Sequence, residues 1–134
     1  MAVVACLDTR VYMVHFAEKP AWTGRIVDAA RLPGSMVVSS TVTITELVYL
    51  MTPKLGLETL HLRIGSARQS RVRFLPVSEE IAERAGGIVL ENRNVPLADS
   101  IIAATALVHT RGRVCTDDPH FASIPGIQPF WGRS

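Results

Sequence analysis

Cysteines, lysines and long apolar runs are all scarce in this sequence. Its two cysteines, Cys6 and Cys115, are too few for a disulfide framework, and their spacing matches no zinc-binding pattern. Each lies in a short apolar run, so we expect buried, reduced thiols and consider a disulfide only if the two runs form neighbouring strands. No apolar run approaches the roughly 20 residues of a membrane helix, so we expect no membrane partner.

We also expect no secretory leader. The first residues carry no basic segment, and Asp8 follows too early for the apolar core of a signal peptide. We therefore expect a cytoplasmic protein. With 48% hydrophobic and 19% charged residues, the chain has the composition of one globular domain, which we place at residues 1–134.

The charge is nearly balanced, with 14 basic and 12 acidic residues and a net charge of +2. Lys19 and Lys54 are the only lysines, so arginine supplies most of the positive charge. If several acids gather in one site, the remaining surface becomes basic and suits a polyanionic partner. One basic set is either a solvated face or a phosphate contact: Arg63, Arg68, Arg71 and Arg73.

Apolar periodicity alternates between strand and helix along the chain. Short apolar runs predict strands at residues 3–7, 36–38, 72–77 and 114–116, with a last edge strand at 127–131. Helical spacing predicts helices at about 11–16, 21–31, 41–51, 55–70, 79–89 and 95–108, the third capped within residues 39–41 and ended or kinked at Pro53. This alternation predicts an α/β fold with a mainly parallel central sheet of four to five strands flanked by helices.

Acidic residues recur where the predicted strands end. Asp8 follows the first strand, and Asp117 and Asp118 follow the fourth. Glu46 lies early in the helix after the second strand, and Asp99 lies in the first turn of the helix before the fourth. Ligands bind beyond the carboxyl ends of parallel strands, so these side chains can reach one edge of the sheet. Crowded carboxylates repel unless a cation is present, and their oxygens suit Mg²⁺ or Mn²⁺. This pattern indicates metal-assisted phosphodiester hydrolysis.

Asp99 has two interpretations. It lies in the first turn of an alanine-rich apolar helix, where an acid stabilises the helix dipole by about 0.3–1 kcal/mol. Alternatively, it is a metal-binding carboxylate held on a rigid element. Because Asp8, Glu46 and Asp118 are expected at the same edge of the sheet, we favour the interpretation of Asp99 as a metal ligand.

Four segments carry a family resemblance. They read Leu7-Asp8-Thr9, Thr45-Glu46-Leu47, Pro96-Leu97-Ala98-Asp99-Ser100-Ile101-Ile102-Ala103-Ala104-Thr105-Ala106 and Thr116-Asp117-Asp118-Pro119-His120-Phe121. In order and interval they resemble the successive motifs of PIN domains, over nearly the whole chain. The third motif is most similar to the toxin subunits, of VapC type, of prokaryotic toxin–antitoxin pairs.

The resemblance implies a Mg²⁺- or Mn²⁺-dependent endoribonuclease, a toxin that acts on RNA, forms a homodimer and is held by an antitoxin. It implies that the catalytic, metal-binding acids are Asp8, Glu46, Asp99 and Asp118. Thr116 and Asp117 would support that site, and we assign RNA contacts to Arg10 and Ser100.

Two residues depart from the family pattern. Arg10 stands where many relatives carry a small or polar residue, and it can pair with Asp8 or touch RNA. His120, in a pair that replaces two commoner charged residues, is either a base or a loop histidine without a catalytic role. These departures motivate one alternative: a catalytically inactive PIN-like module for RNA binding or assembly.

Two further classes are disfavoured. A receiver-type phosphoacceptor domain needs a lysine after a late strand, and both lysines lie in the first half of the chain. A haloacid-dehalogenase-like phosphatase needs a second aspartate after the first strand, where Asp8-Thr9-Arg10 has none.

Overall fold

The computed structural model describes residues 1–132. Its strands are β1 Val4–Leu7, β2 Met36–Ser40, β3 Arg73–Leu75, β4 Arg113–Cys115 and β5 Gln128–Phe130. Its α-helices are α1 Thr9–Ala17, α2 Ala21–Ala29, α3 Thr41–Leu55, α4 Leu57–Gln69, α5 Glu79–Glu91 and α6 Leu97–His109, and a 3₁₀ turn spans Pro119–Ser123.

The strands form one sheet in the order β3-β2-β1-β4-β5, and every neighbouring pair is parallel. The predicted α/β class with a parallel sheet is therefore confirmed, with the strand at its edge containing Pro129 as expected. β1 lies at the centre of the sheet, between β2 and β4. Consequently the loops that follow β1 and β4 are neighbours in space, although about a hundred residues separate them in the chain.

Helices cover both faces of the sheet, as parallel sheets require. On one face Leu7 and Val37 pack with residues of α1, α3 and α4, including Tyr12 and Leu47. On the other face Cys6, Val38 and Val114 pack with α6, whose Ile102, Ala103 and Ala106 have no exposed surface. The alanine-rich helix therefore lies directly against the sheet, as its composition predicts.

The two cysteines lie on neighbouring strands but on opposite faces of the sheet. Cys6 pairs in register with Val114 and Leu7 pairs with Cys115, and successive side chains along a strand point in opposite directions. Both thiols are free and buried in the described structure. Burial raises the pKa of Cys6 strongly and that of Cys115 to about 12, so neither thiol is reactive.

Helix α3 begins at the predicted residue but ends later than predicted. Ser39 was grouped with the helix caps, but it is the buried penultimate residue of β2, and Ser40 is the cap that accepts from Val42 N–H. Pro53 does not end the helix, which continues to Leu55 because the stop is provided by Gly56 at φ 81°.

Gly112 ends the turn after α6, and no other residue fits there. Its φ is +83°, and a Cβ built on it would lie 2.0 Å from the carbonyl oxygen of Gly126. This close approach joins the end of α6 to the segment before β5. Among residues 1–132, no helix combines the length and apolar character needed to cross a membrane.

Candidate active site

Asp8 lies at the junction of β1 and α1, where it caps the helix. Its Oδ1 accepts from the backbone N–H of Thr9 at 2.7 Å, and its Oδ2 accepts from the Thr116 hydroxyl at 2.7 Å. The residue is only 3% exposed. Burial raises the pKa of this carboxyl to about 6, against the hydrogen bonds from Thr116 and Thr9, and the charges of Glu46 and Asp118 raise it further.

Thr116 connects two of the acidic residues. It follows β4, and its buried hydroxyl donates to Asp8 while accepting the backbone N–H of Asp118 at 3.0 Å. One hydroxyl group therefore fixes the first residues beyond two adjacent strands. Asp118 in turn caps the 3₁₀ turn, accepting from the His120 N–H at 2.9 Å.

Glu46 comes to the same edge from α3. Its Oε1 accepts from the Thr9 hydroxyl at 2.6 Å, and the Thr9 hydroxyl oxygen lies 3.1 Å from that of Thr43. Thr9 and Thr43 are buried polar residues that our sequence reasoning did not assign to the site. Their contacts join residues more than thirty positions apart, and the only sequence signal was the place of Thr9 directly after Asp8.

Asp99 lies in an environment that is unfavourable for a charged carboxylate. It lies in the first turn of α6, is 8% exposed, and its buried Oδ2 has no hydrogen-bond partner among the described residues. Burial, the nearby carboxyl of Asp118 and the charges of Asp8 and Glu46 together raise its pKa to about 8. The charges of the three other predicted acids therefore all act on Asp99, and the ligating oxygen of Asp118 lies within 4.8 Å of that of Asp99.

Asp118 behaves in the opposite way. Burial would raise its pKa, but the hydrogen bond from the His120 backbone, the adjacent carboxyl of Asp99 and the hydrogen bond from the His120 side chain lower the pKa of Asp118 overall. The His120 Nδ1 lies 2.6 Å from Asp118 Oδ1 and 3.7 Å from Asp99 Oδ2. Asp118 is therefore charged, whereas burial tends to keep the neighbouring carboxyl of Asp99 protonated.

The donor set fits a hard divalent cation. Ligating atoms of Asp99, Asp118 and His120 all lie within 4.8 Å of one another. A buried carboxylate oxygen without a partner is unfavourable by about 1–3 kcal/mol, and a cation would supply the missing partner. The same cation would offset the burial and the repulsion that raise the pKa values of Asp8 and Asp99.

The remaining predicted residues lie at different distances from this cluster. Asp117 does not turn towards the other acids, because it forms a bidentate ion pair with Arg10, with Nε and Nη2 each 3.0 Å from one of its oxygens. Arg10 therefore pairs with Asp117 rather than with Asp8. Ser100 is fully buried and its hydroxyl donates to the Leu97 carbonyl at 2.6 Å, so the geometry gives no support to an RNA contact.

This fold and site define a class of α/β proteins that gather carboxylates at the carboxyl edge of a parallel sheet. Within that class the chain belongs to the PIN domain family, whose sequence profile matches residues 5–127. The expected family is therefore confirmed.

Solved structures agree with this assignment. A chain of the DNA-bound VapBC complex from Salmonella typhimurium is 26% identical, with a TM-score of 0.76, covering 98% of this chain and 98% of that chain. A chain of a toxin–antitoxin complex from Klebsiella pneumoniae is also 26% identical, with a TM-score of 0.69 and coverage of 92% and 95%.

A third structure supports the fold alone. A chain of VapBC2 from Rickettsia felis, bound to a DNA fragment from the promoter, is 16% identical with a TM-score of 0.79, covering 96% of this chain and 98% of that chain. A comparison with curated protein sequences produced no significant match.

Proposed function

We propose that this protein is a metal-dependent endoribonuclease that hydrolyses RNA phosphodiester bonds, and that it is the toxin of a toxin–antitoxin pair. The observation that carries the proposal is the buried, unpartnered Asp99 Oδ2 facing Asp118 within a cluster of four acids. A purely structural acid at a helix start would be expected to find a hydrogen-bond partner or solvent. The membership in the PIN domain family and the toxin–antitoxin neighbours support the same function.

The residues that would hold the cation are Asp8, Glu46, Asp99 and Asp118. We expect Mg²⁺ or Mn²⁺, because these ions accept carboxylate oxygens and retain coordinated water. When bound, such an ion lowers the pKa of a coordinated water and neutralises charge that develops on the phosphate.

The chain prepares the acids for this role. The Thr116 hydroxyl holds Asp8 and the Thr9 hydroxyl holds Glu46, so two ionisable side chains are oriented before any ligand arrives. Arg10 then provides a cation at the rim of the cluster. Its ion pair with Asp117 uses two of the five guanidinium N–H groups, and the remaining groups can donate to an RNA phosphate.

A protein partner is supported by apolar side chains that remain exposed on α3 and α4. Tyr49 is 59% exposed, Leu57 46% and Leu62 70%. Exposed apolar groups of this size favour protein contacts, and the neighbouring solved structures are toxin–antitoxin complexes. We propose a homodimer that binds an antitoxin. Light scattering of the purified protein, alone and co-expressed with the product of a short upstream reading frame, tests both associations.

The nuclease proposal is tested by incubating purified protein with RNA in the presence of Mg²⁺ or Mn²⁺. We expect cleavage that is lost on addition of EDTA and abolished by Asp99→Asn. The matched control is Asp28→Asn, the same chemical change at an exposed position of α2, which should cleave like the wild type. Equal cleavage by Asp99→Asn and the wild type would refute the assignment.

The ion pair of Arg10 with Asp117 favours one alternative, an inactive PIN-like module that binds RNA or assists assembly. It places a cation beside the acids that can hold RNA without hydrolysis. In that case the protein would bind RNA with a strong salt dependence, and no metal-dependent cleavage would be observed.

A further inference from the structure

His120 lies inside the acidic cluster, and the function proposed above makes no use of it. It is the second residue of the 3₁₀ turn and follows Pro119, which directly follows the capping residue Asp118. Its Nδ1 is 2.6 Å from Asp118 Oδ1 and 3.7 Å from Asp99 Oδ2. It is therefore the one nitrogen donor that the described structure places among these carboxylates.

We propose that His120 is a direct nitrogen ligand of the divalent cation, and that this ligand makes the site select Mn²⁺ over Mg²⁺. The proposal rests on the proposed function only in so far as that function requires a cation at this cluster. It assigns His120 a role in choosing the ion.

The ring is placed for coordination through Nδ1. In the metal-free structure Nδ1 lies at hydrogen-bond distance from Asp118 Oδ1, so coordination requires the tautomer that carries its hydrogen on Nε2. In that tautomer Nδ1 presents a lone pair towards the space that Asp118 Oδ1 and Asp99 Oδ2 also face, and the cation would replace the hydrogen bond. Asp99 lies in the first turn of α6, His120 belongs to the 3₁₀ turn, and Asp118 caps that turn. A cation in contact with all three would give Asp99 Oδ2 the partner that it lacks.

The ring hydrogen-bonds to Asp118, but the turn does not need this bond for its cap. Asp118 Oδ1 accepts the His120 backbone N–H at 2.9 Å, and this bond caps the turn whatever side chain stands at position 120. The His120 side chain is about 43% exposed, so little packing depends on it. Its removal should therefore leave the fold intact.

The chemistry of the ligand determines which ion is favoured. Mg²⁺ prefers oxygen ligands in a rigid octahedron, whereas imidazole is a common ligand of first-row transition ions. A site with three or four carboxylates alone would hold either ion. The addition of one imidazole nitrogen should strengthen Mn²⁺ binding more than Mg²⁺ binding.

The test measures binding and ligation, independently of cleavage. Metal-free full-length protein is titrated with MnCl₂ and with MgCl₂ in a calorimeter, and the Mn²⁺-loaded protein is examined by pulsed electron paramagnetic resonance for coupling to an imidazole ¹⁴N. The variants are His120→Ala and, as the matched control, His61→Ala at an exposed position of α4. Replacement of ¹⁴N by ¹⁵N-histidine in the wild-type protein provides a readout that requires no variant.

We expect the wild type to show the imidazole coupling, and ¹⁵N labelling to change it. His120→Ala should lose the coupling and weaken Mn²⁺ binding by about tenfold or more, with a much smaller change for Mg²⁺. His61→Ala should match the wild type in both measurements.

Three results would overturn the inference. These are a Mn²⁺-loaded wild type without imidazole coupling, equal loss of both ions in His120→Ala, or no binding of either ion. If cleavage depends on Asp99 and the Mn²⁺-loaded protein shows no nitrogen coupling, this inference is refuted and the nuclease proposal stands. If nitrogen coupling is observed and no RNA is cleaved, the nuclease proposal is refuted and this inference stands.

Discussion

Substitution of Asp99 by asparagine should stabilise the metal-free protein while it abolishes activity. Asp99 is buried beside other acids, and its pKa is raised from the ordinary 3.8 to about 8. Asparagine has nearly the same shape and carries no charge. Its amide N–H₂ can donate to the charged Asp118, which the ionised Asp99 cannot do. The variant therefore removes the cost of keeping this carboxyl protonated in the folded state at pH values above 4.

The magnitude follows from the two pKa values. A group whose pKa is raised on folding binds its proton more tightly in the folded state, so the free energy of unfolding falls as pH rises. For Asp99 the fall begins near pH 4 and ends near pH 8, where the carboxyl is ionised in both states. At pH 7 the difference amounts to at most about 4 kcal/mol, at 1.36 kcal/mol for each pKa unit. We expect Asp99→Asn to recover about 1–4 kcal/mol of this, or about 3–5 °C in Tm for each kcal/mol.

The assay is thermal unfolding of wild type, Asp99→Asn and Asp28→Asn between pH 4 and pH 9, in EDTA. The advantage of Asp99→Asn should be small at pH 4 and should grow until about pH 8. Asp28→Asn should run parallel to the wild type, because Asp28 is exposed. In a parallel series without EDTA, added Mn²⁺ should raise the Tm of the wild type and of Asp28→Asn but not that of Asp99→Asn, since a ligand stabilises only the state that binds it. A lower Tm for Asp99→Asn, or a pH-independent difference, would refute the reasoning.

Three other substitutions test separate parts of the structure. Thr116→Val should reduce cleavage and lower the free energy of unfolding by about 1–3 kcal/mol, because Asp8 loses a buried donor, and Thr116→Ser should restore both in activity and denaturation assays. Arg10→Ala should weaken RNA binding and reduce by about one the slope of log affinity against log salt, measured by fluorescence anisotropy; an unchanged slope would exclude a phosphate contact. Ala103→Leu should lower the free energy of unfolding by about 1–3 kcal/mol in urea, because Ala103 is fully buried against the sheet.

The positions of the acids along the chain could be predicted because they depend on local pattern. Asp8 and Asp118 follow apolar strands and Asp99 begins an apolar helix, and these elements are visible in the period of the apolar residues. In a parallel sheet every strand ends at the same edge, so the cluster follows from the fold class. The alternation of strands and helices was confirmed for the same reason.

The contacts made by individual side chains could not be predicted in this way. The pairing of Arg10 with Asp117 joins residues 107 positions apart, and it depends on β1 and β4 being neighbours. Ser39 was misplaced as a cap because its hydroxyl suits a helix start. In the structure it lies inside β2, where its hydroxyl bonds to the Leu7 carbonyl and the Tyr12 hydroxyl. These buried partners, which the local sequence does not reveal, decide that Ser39 belongs to the strand and not to the helix cap.

The sequence by itself determined the order of strands and helices and which residues arrive at the carboxyl edge, because both depend on repeats of two and about 3.6 residues. Tertiary structure alone decided that Asp99 Oδ2 lacks a partner, that Thr9 reaches Glu46 and that His120 turns its ring nitrogen towards two carboxylates. These features depend on distances of a few ångströms between side chains on different elements. Such distances are set by the order of the strands and by packing across the sheet, which no local pattern encodes.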